Sequence, residues 1–461
     1  MKNKKNSFLN VSEKIIFILF GVSMLVLIRP DIGEISLQTF LIFLISLVWV
    51  GTGIYFLRKG RLTIKKEFYR MDLLAGVLFI WEFLSVIGKM IQSTGETTVD
   101  YSINVAIMSL VILYFLFMQI LSFKRNYLDI ILYIGLLVMA FMMFCFLCDM
   151  EFLWMIAETI ENTGQAASFL MLIGMIVIYQ YCMCQDKFRS CFYLLTCGVT
   201  FLLLFINYNI ISLWIMVLIF FMIPVWFRPT AALIKKDMQV MFLYVFMLSN
   251  MSLLTNYTSL LIVDLPFELE HSVYLELLFA IGAAVFFYYW DRIPNGADPD
   301  RLILRKLRRI YKFLTIATII IFSGLLFGGS KWNSLGEGAG SSMIKSFAIP
   351  LIKDLSQNDN IFIIGIEKIG LTGIVLILVF LIMAIGRIGR NRGFDKPMTG
   401  LFSMITIIFM LQLLFWVPAM NVLPIYLYFM VLALFYKEER IKVKSTVFNI
   451  ERKEVNDNEK I

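Results

Sequence analysis

Residues 166–184, AASFLMLIGMIVIYQYCMC, run for nineteen positions without a charged side chain. At a rise of 1.5 Å per residue, a helix of that length nearly matches a hydrocarbon core of about 30 Å. In lipid such a segment must be helical, because only a helix or a closed barrel satisfies its own backbone N–H and C=O groups. Similar runs recur on both sides of it, divided by short polar stretches, and predict about fourteen spans. Their limits are close to 14–29, 36–57, 71–91, 102–122, 127–147, 166–184, 190–206, 209–227, 238–256, 272–290, 313–328, 361–386, 398–417 and 422–436. The 461 residues are 60% hydrophobic and only 16% charged, against roughly half and a quarter in soluble domains. That balance excludes a soluble enzyme, a disordered protein and a secreted disulfide scaffold. The expected fold is an all-α polytopic membrane protein.

The net charge of +8 points to topology once the charges are sorted by side. An N-terminus placed in the cytoplasm and strict alternation put the loops 58–70, 291–312 and 387–396 inside with the tail. This arrangement holds 35 of the 41 Lys and Arg residues on the cytoplasmic side. One miscounted span early in the chain would reverse every later loop, so the asymmetry predicts an even span number with both termini inside. Lys2, Lys4 and Lys5 ahead of the apolar run resemble a signal peptide, but Arg29-Pro30-Asp31 follows where a small-residue cleavage site belongs, and a retained first span is expected. The basic excess lacks any Arg/Gly/aromatic pattern for nucleic acid. Cys145, Cys148, Cys182, Cys184, Cys191 and Cys197 lie in or beside apolar runs without zinc spacing, and are expected to be buried thiols; no metal site is expected.

The chain divides into a cytoplasmic N-tail 1–13, membrane helices with short loops over 14–312, a C-terminal membrane segment 313–436 and a charged cytoplasmic tail 437–461. Within the third part lies the longest external loop, about 329–360. Three of the six bases outside the cytoplasmic set, Lys331, Lys345 and Lys353, fall there, with acids among them. Met343-Ile344, Phe347-Ala348 and Leu351-Ile352-Leu355 recur at helical spacing, as expected for a short helix lying at the bilayer surface or a loop packed over the bundle. Gly336, Gly338 and Gly340 permit tight turns with exposed N–H groups, and the three lysines suit an anionic head group such as a diphosphate. Asp359 precedes a helix start, where it serves either as an N-cap or as a carboxylate facing a substrate hydroxyl.

Ionisable residues inside spans are the other candidates, since each is costly unless paired or wetted. Glu82 and Lys89 share one face of the third span but stand about 10 Å apart along the axis, too far for a direct pair. Glu82 is expected to find a partner on another helix and Lys89 to snorkel outward. Glu276 is left open between a structural and a functional role.

The order of the C-terminal pieces adds a family resemblance. Gly336-Glu337-Gly338, then Asn358-Asp359-Asn360-Ile361-Phe362, then Glu367-Lys368-Ile369-Gly370-Leu371-Thr372-Gly373 opening an apolar span, with further spans after it, resembles the bacterial O-antigen ligase and polysaccharide polymerase family. It is more distantly similar to the SEDS family of peptidoglycan polymerases. The resemblance covers roughly residues 313–436. The only histidine is His271, far from the motif, so the histidine of the ligases is replaced here by Asn358 or Asp359. The SEDS ending is also missing, with Val422-Leu423-Pro424-Ile425 leading straight into the last span, and about fourteen spans exceed the SEDS ten, which favours the first family.

The resemblance implies a membrane glycosyltransferase that moves a glycan from an undecaprenyl diphosphate carrier to an acceptor on the outer face of the cytoplasmic membrane. It would act in cell-surface polysaccharide synthesis, with other envelope enzymes as partners. Asp359, and after it Glu337 or Glu367, are then the base candidates; Lys331, Lys345 and Lys353 are the candidates to hold the departing diphosphate, by their chemistry and location rather than by a motif match. No cofactor beyond the lipid-linked substrate is demanded. Two alternatives remain at this stage, a SEDS-type peptidoglycan polymerase and a flippase or transporter for the same lipid-linked sugar.

Overall fold

The computed structural model describes residues 31–32, 35–36, scattered positions between 43 and 58, and then 69–92, 101–120, 126–148, 163–206, 210–227, 231–249, 308–320, 369–391, 397–413 and 422–436. The expected first span, the 272–290 span, the loop 329–360 and both tails lie outside the described residues. Ten long helices are described: α1 (Arg70–Gln92), α2 (Ser102–Ile120), α3 (Asn126–Cys148), α4 (Thr163–Met183), α5 (Lys187–Ile206), α6 (Ile210–Trp226), α7 (Ala231–Ser249), α8 (Gly370–Asn391), α9 (Pro397–Gln412) and α10 (Leu423–Phe435). Residues 308–320 are also helical. A two-residue antiparallel pair, β1 (Asp31–Ile32) with β2 (Ile35–Ser36), is the only strand structure among the described residues.

The protein is an α-helical membrane protein. Four of the described helices are long and apolar enough to cross a bilayer, over Arg70–Ile91, Ala166–Met183, Lys187–Phe205 and Gly370–Arg390, and five more are apolar but shorter. Most boundaries fall where the apolar runs end. The break expected around Asn207-Tyr208-Asn209 separates α5 from α6. α7 differs, starting at Ala231 rather than near 238, so that Lys235, Lys236 and Asp237 are helical. Hydropathy cannot see that start, because the extra turns carry charges; Lys236 among them is answered by the Tyr181 and Cys184 carbonyls at the end of α4.

Two groups of helices share the core. α1, α2, α8 and α10 pack together, α3 to α7 form the second group, and α9 bridges them through α4, α6 and α10. α4 is buried nearly all round from Ala167 to Cys182, whereas α1 and α8 present apolar stripes outward, including Leu73, Ile80 and Leu84 on one and Leu371, Val375 and Ile382 on the other. A helix apolar on every side is the interior of such a bundle, and an exposed apolar stripe is the surface lipid covers. At the α9–α6 contact, a methyl on Gly400 would come 2.8 Å from the Phe227 ring, so the missing side chain sets that close approach.

Polar ties show how the helices run. Tyr69, just before α1, stacks near Phe435 at the end of α10, with ring centroids 5.3 Å apart. The Arg387 guanidinium, near the end of α8, lies 3.9 Å from the Tyr69 ring centre and 4.4 Å from that of Phe435, and its Nε donates to the Leu434 carbonyl at 3.3 Å. Beside them the Tyr114 hydroxyl of α2 donates to Asp72 at 2.8 Å, and the same carboxylate caps α1 through the Tyr69 N–H at 2.7 Å. In the second group, Gln180 of α4 and Tyr193 of α5 both donate to Asp129 at the start of α3. Lys236 of α7 donates to the carbonyls of Tyr181 and Cys184. Tyr179 packs on Phe227 and donates to Met398 Sδ at the start of α9.

These ties gather the first turns of α1, α3, α5, α7 and α9 and the last turns of α2, α4, α6, α8 and α10 at one end. Arg70, Lys187, Arg189, Lys235, Lys236, Arg387 and Arg390 sit there too. At the opposite end Tyr426 of α10 donates to the Ser168 carbonyl of α4 at 2.8 Å and to Gln412 of α9.

Four cysteines have described side chains, all free: Cys182 and Cys197 are buried as expected, Cys184 is half-buried and Cys191 is exposed. Cys191 breaks the expectation because it sits one turn into α5, on the side turned away from the neighbouring helices.

The stacked guanidinium yields the first prediction. Each cation–π contact contributes ~1 kcal/mol or more when desolvated. Arg387→Ala is expected to lower the thermal midpoint of the detergent-solubilised protein by an amount equivalent to about 2 kcal/mol, and Arg387→Lys to recover only part of it, because an ammonium cannot stack as a plane.

Candidate functional site

The third expected span carries its two ionisable residues as α1 residues Glu82 and Lys89. Glu82 is fully buried. Its expected partner on another helix is Asn104, two residues into α2, whose Nδ2 donates to Glu82 Oε2 at 2.7 Å. Lys89 does not snorkel outward; its Nζ donates to Asn104 Oδ1 at 2.8 Å. One amide, with a donor and an acceptor on the same side chain, therefore closes the gap that seven residues of helix leave between a carboxyl and an amine. The sequence did not single out Asn104, because nothing local distinguishes a bridging asparagine from any polar residue near a helix start.

The remaining carboxyl oxygen, Glu82 Oε1, is buried without a hydrogen-bond partner among the described residues. It faces the first turn of α8. A methyl added to Gly373 would lie 3.2 Å from Oε1 and would overlap the Ile369 side chain. The Trp81 Nε1–H, next to Glu82 in α1, donates to the Ile369 carbonyl at 3.3 Å. Gly370, between these two points, has φ +81°, a left-handed conformation that glycine adopts without a Cβ penalty. The backbone thus turns sharply at Gly370 and enters α8 against α1, and Gly373 leaves room for the carboxyl.

The four leading N–H groups of a helix lack intrahelical acceptors, and the helix dipole favours an acceptor or a negative charge beside them. Glu82 stands at such a position. Chemically the cluster offers one carboxyl oxygen pinned by Asn104, a second free to accept a hydrogen bond, and an amine on the same relay. Among the described residues no group of three or more His, Cys, Asp or Glu side chains forms a metal site.

This places two glycines of the sequence motif, Gly370 and Gly373, in direct structural use. Asp359, Glu337, Glu367, Lys331, Lys345, Lys353, Gly336, Gly338 and Gly340 lie outside the described residues, as does Glu276. A second polar place, not singled out in the sequence, is a cleft of about 530 Å³ at the far end of α4, lined by Asp129, Gln180, Asp186, Arg189 and Tyr193 among others. Its hydrogen bonds are spent within the wall: Gln180 and Tyr193 hold Asp129 at 2.8 and 3.0 Å.

Removing the bridge leaves the buried Glu82 carboxyl without a donor and the half-buried Lys89 amine without its amide acceptor, a loss of a few kcal/mol. Asn104→Ala is expected to destabilise the protein by about 2–4 kcal/mol in thermal unfolding. Gly373→Ala is expected to reduce the folded yield more than Gly370→Ala, since the first meets a side chain and the second only the left-handed penalty of roughly 1–2 kcal/mol. Equal, full stability of all three variants would contradict the docking of α8 on Glu82. No known family model, no curated protein and no solved structure matches the chain.

Proposed function

We propose that the protein is a membrane glycosyltransferase that polymerises or ligates lipid-diphosphate-linked oligosaccharide on the outer face of the cytoplasmic membrane. The observation that carries this reading is the docking of the Glu367–Gly373 motif's helix. Its two described glycines seat the start of α8 against the Glu82–Asn104–Lys89 relay through a left-handed turn and a close approach. A glycan transferase needs such a rigid seat, because the loop before the motif has to hold an acceptor hydroxyl and a diphosphate in fixed relation.

The gathering of basic residues at one end of the bundle supports an inward orientation for that end. The start of α8, and with it the Gly/Lys/acid loop that precedes it, then faces outward. There Asp359 takes the acceptor proton, with Glu337 and Glu367 as the next candidates, while Lys331, Lys345 and Lys353 hold the diphosphate as it leaves. The full count of about fourteen spans with both termini inside belongs to the same reading. It is supported by the alternation of the ten described helices.

A flippase for the same lipid-linked sugar is the second reading, favoured by one observation: buried Glu82 and Asn104 form a polar relay with the half-buried Lys89 between α1 and α2, where transporters keep theirs. Purified protein in liposomes loaded with undecaprenyl-diphosphate oligosaccharide separates the two. The proposal expects longer glycans, lost by at least a hundredfold in Asp359→Ala and Lys331→Ala at unchanged membrane levels, since removing one group that stabilises developing charge costs on that scale. Movement of carrier across the bilayer without chain growth would overturn it in favour of the flippase.

A further inference from the structure

Asp237 lies in the second turn of α7, ahead of the apolar run that begins at 238. It is fully buried, and neither of its carboxyl oxygens has a hydrogen-bond partner among the described residues. Its neighbour in sequence, Lys236, is turned elsewhere: the ammonium donates to the carbonyls of Tyr181 and Cys184 and sits 5.2 Å from the Tyr181 ring centre. The groups near enough to sense Asp237 are the buried Cys182 thiol of α4 and the buried Tyr311 phenol of the 308–320 segment. Cys197 of α5 lies beside Cys182. Arg308, one turn before Tyr311, spends its Nη2 on the Val225 carbonyl of α6 at 3.5 Å. Asp237 makes no ion pair among the described residues.

An ionised carboxylate buried without a partner is far more costly than a neutral acid in the same place, so such a group takes up a proton instead. Burial accordingly pushes the Asp237 carboxyl well above the usual aspartate range. Among the described residues, the groups that sense it are a thiol and a phenol, and the adjacent Lys236 ammonium is committed to the Tyr181 and Cys184 carbonyls.

We infer that Asp237 is a proton-binding site of the folded protein, a neutral carboxylic acid at the junction of α4, α7 and the 308–320 segment. The folded chain then holds a proton that the unfolded chain releases at neutral pH. Because the native state binds the extra proton, stability is greatest at low pH and declines as pH rises from the ordinary aspartate range toward the raised value. This inference is independent of the glycosyltransferase reading.

Infrared difference spectroscopy on the full-length protein in detergent tests it. Wild type minus Asp237→Asn at about pH 7 is expected to show the C=O stretch of a neutral carboxylic acid. Asparagine is an uncharged near-isostere that needs no proton in order to fold, so the thermal midpoint of the variant at about pH 7 should lie at or above that of wild type. The decline of the wild-type midpoint as pH rises from about 5 toward 7, above the ordinary aspartate range, should be absent from the variant. If Asp237→Asn does not accumulate, Asp237→Ser supplies the same spectral subtraction. A carboxylate band in place of the acid band, or a wild-type midpoint that rises with pH over that range, would overturn the inference.

Discussion

Polar atoms carried into an apolar bundle must find their partners inside it, and where those partners lie decides how these helices meet. The rule is visible at both ends of the structure. At one end Arg387 is held between two aromatic rings and a carbonyl, and Asp72 is shared by a tyrosine hydroxyl and the N–H of Tyr69 just ahead of its own helix. At the other, Tyr426 reaches the Ser168 carbonyl and Gln412. Apolar contact alone would not distinguish these pairings, because lipid tails are as apolar as leucine and the helices could slide or rotate with little loss. The polar ties have one geometry each, so they fix the neighbours and the sense of every helix they join.

The same constraint shapes the candidate site. Glu82 and Lys89 stand on one face of α1 at a separation that forbids direct contact, and Asn104 from α2 answers both with one amide. The third side of the cluster is backbone: the first turn of α8, brought close by Gly370 and Gly373 and tied by Trp81 to the Ile369 carbonyl. A motif that reads as a short run of common membrane residues thereby acquires a physical reason for its glycines. One supplies a left-handed turn, and the other supplies space.

The buried carboxyls among the described residues divide into three kinds. Asp72 is fully answered by donors, Glu82 is answered on one oxygen only, and Asp237 on neither. The first is a structural joint. The second belongs to a relay that orients a neighbouring helix, and the third is the one whose charge the surroundings cannot support. Residue type does not separate these roles, since all three are acids near helix ends or within helices; the count of donors supplied by other helices does.

Helix existence, approximate limits and the membrane setting were legible in the sequence, because hydropathy is a sum over neighbours along the chain and needs no knowledge of the fold. The run from Ala166 to Cys184 is α4 to within three residues at its start and one at its end. The glycines of the C-terminal motif were legible as a pattern, though not their use. What only the tertiary structure decided was partnership. Asn104 as the bridge between Glu82 and Lys89, the inward turn of Lys89, the clamp on Arg387, the early start of α7 and the isolation of Asp237 all depend on groups far away in the chain. A side chain's hydropathy is its own, but whether its polar atoms are satisfied is a property of whichever helices pack against it, and that becomes known only when they do.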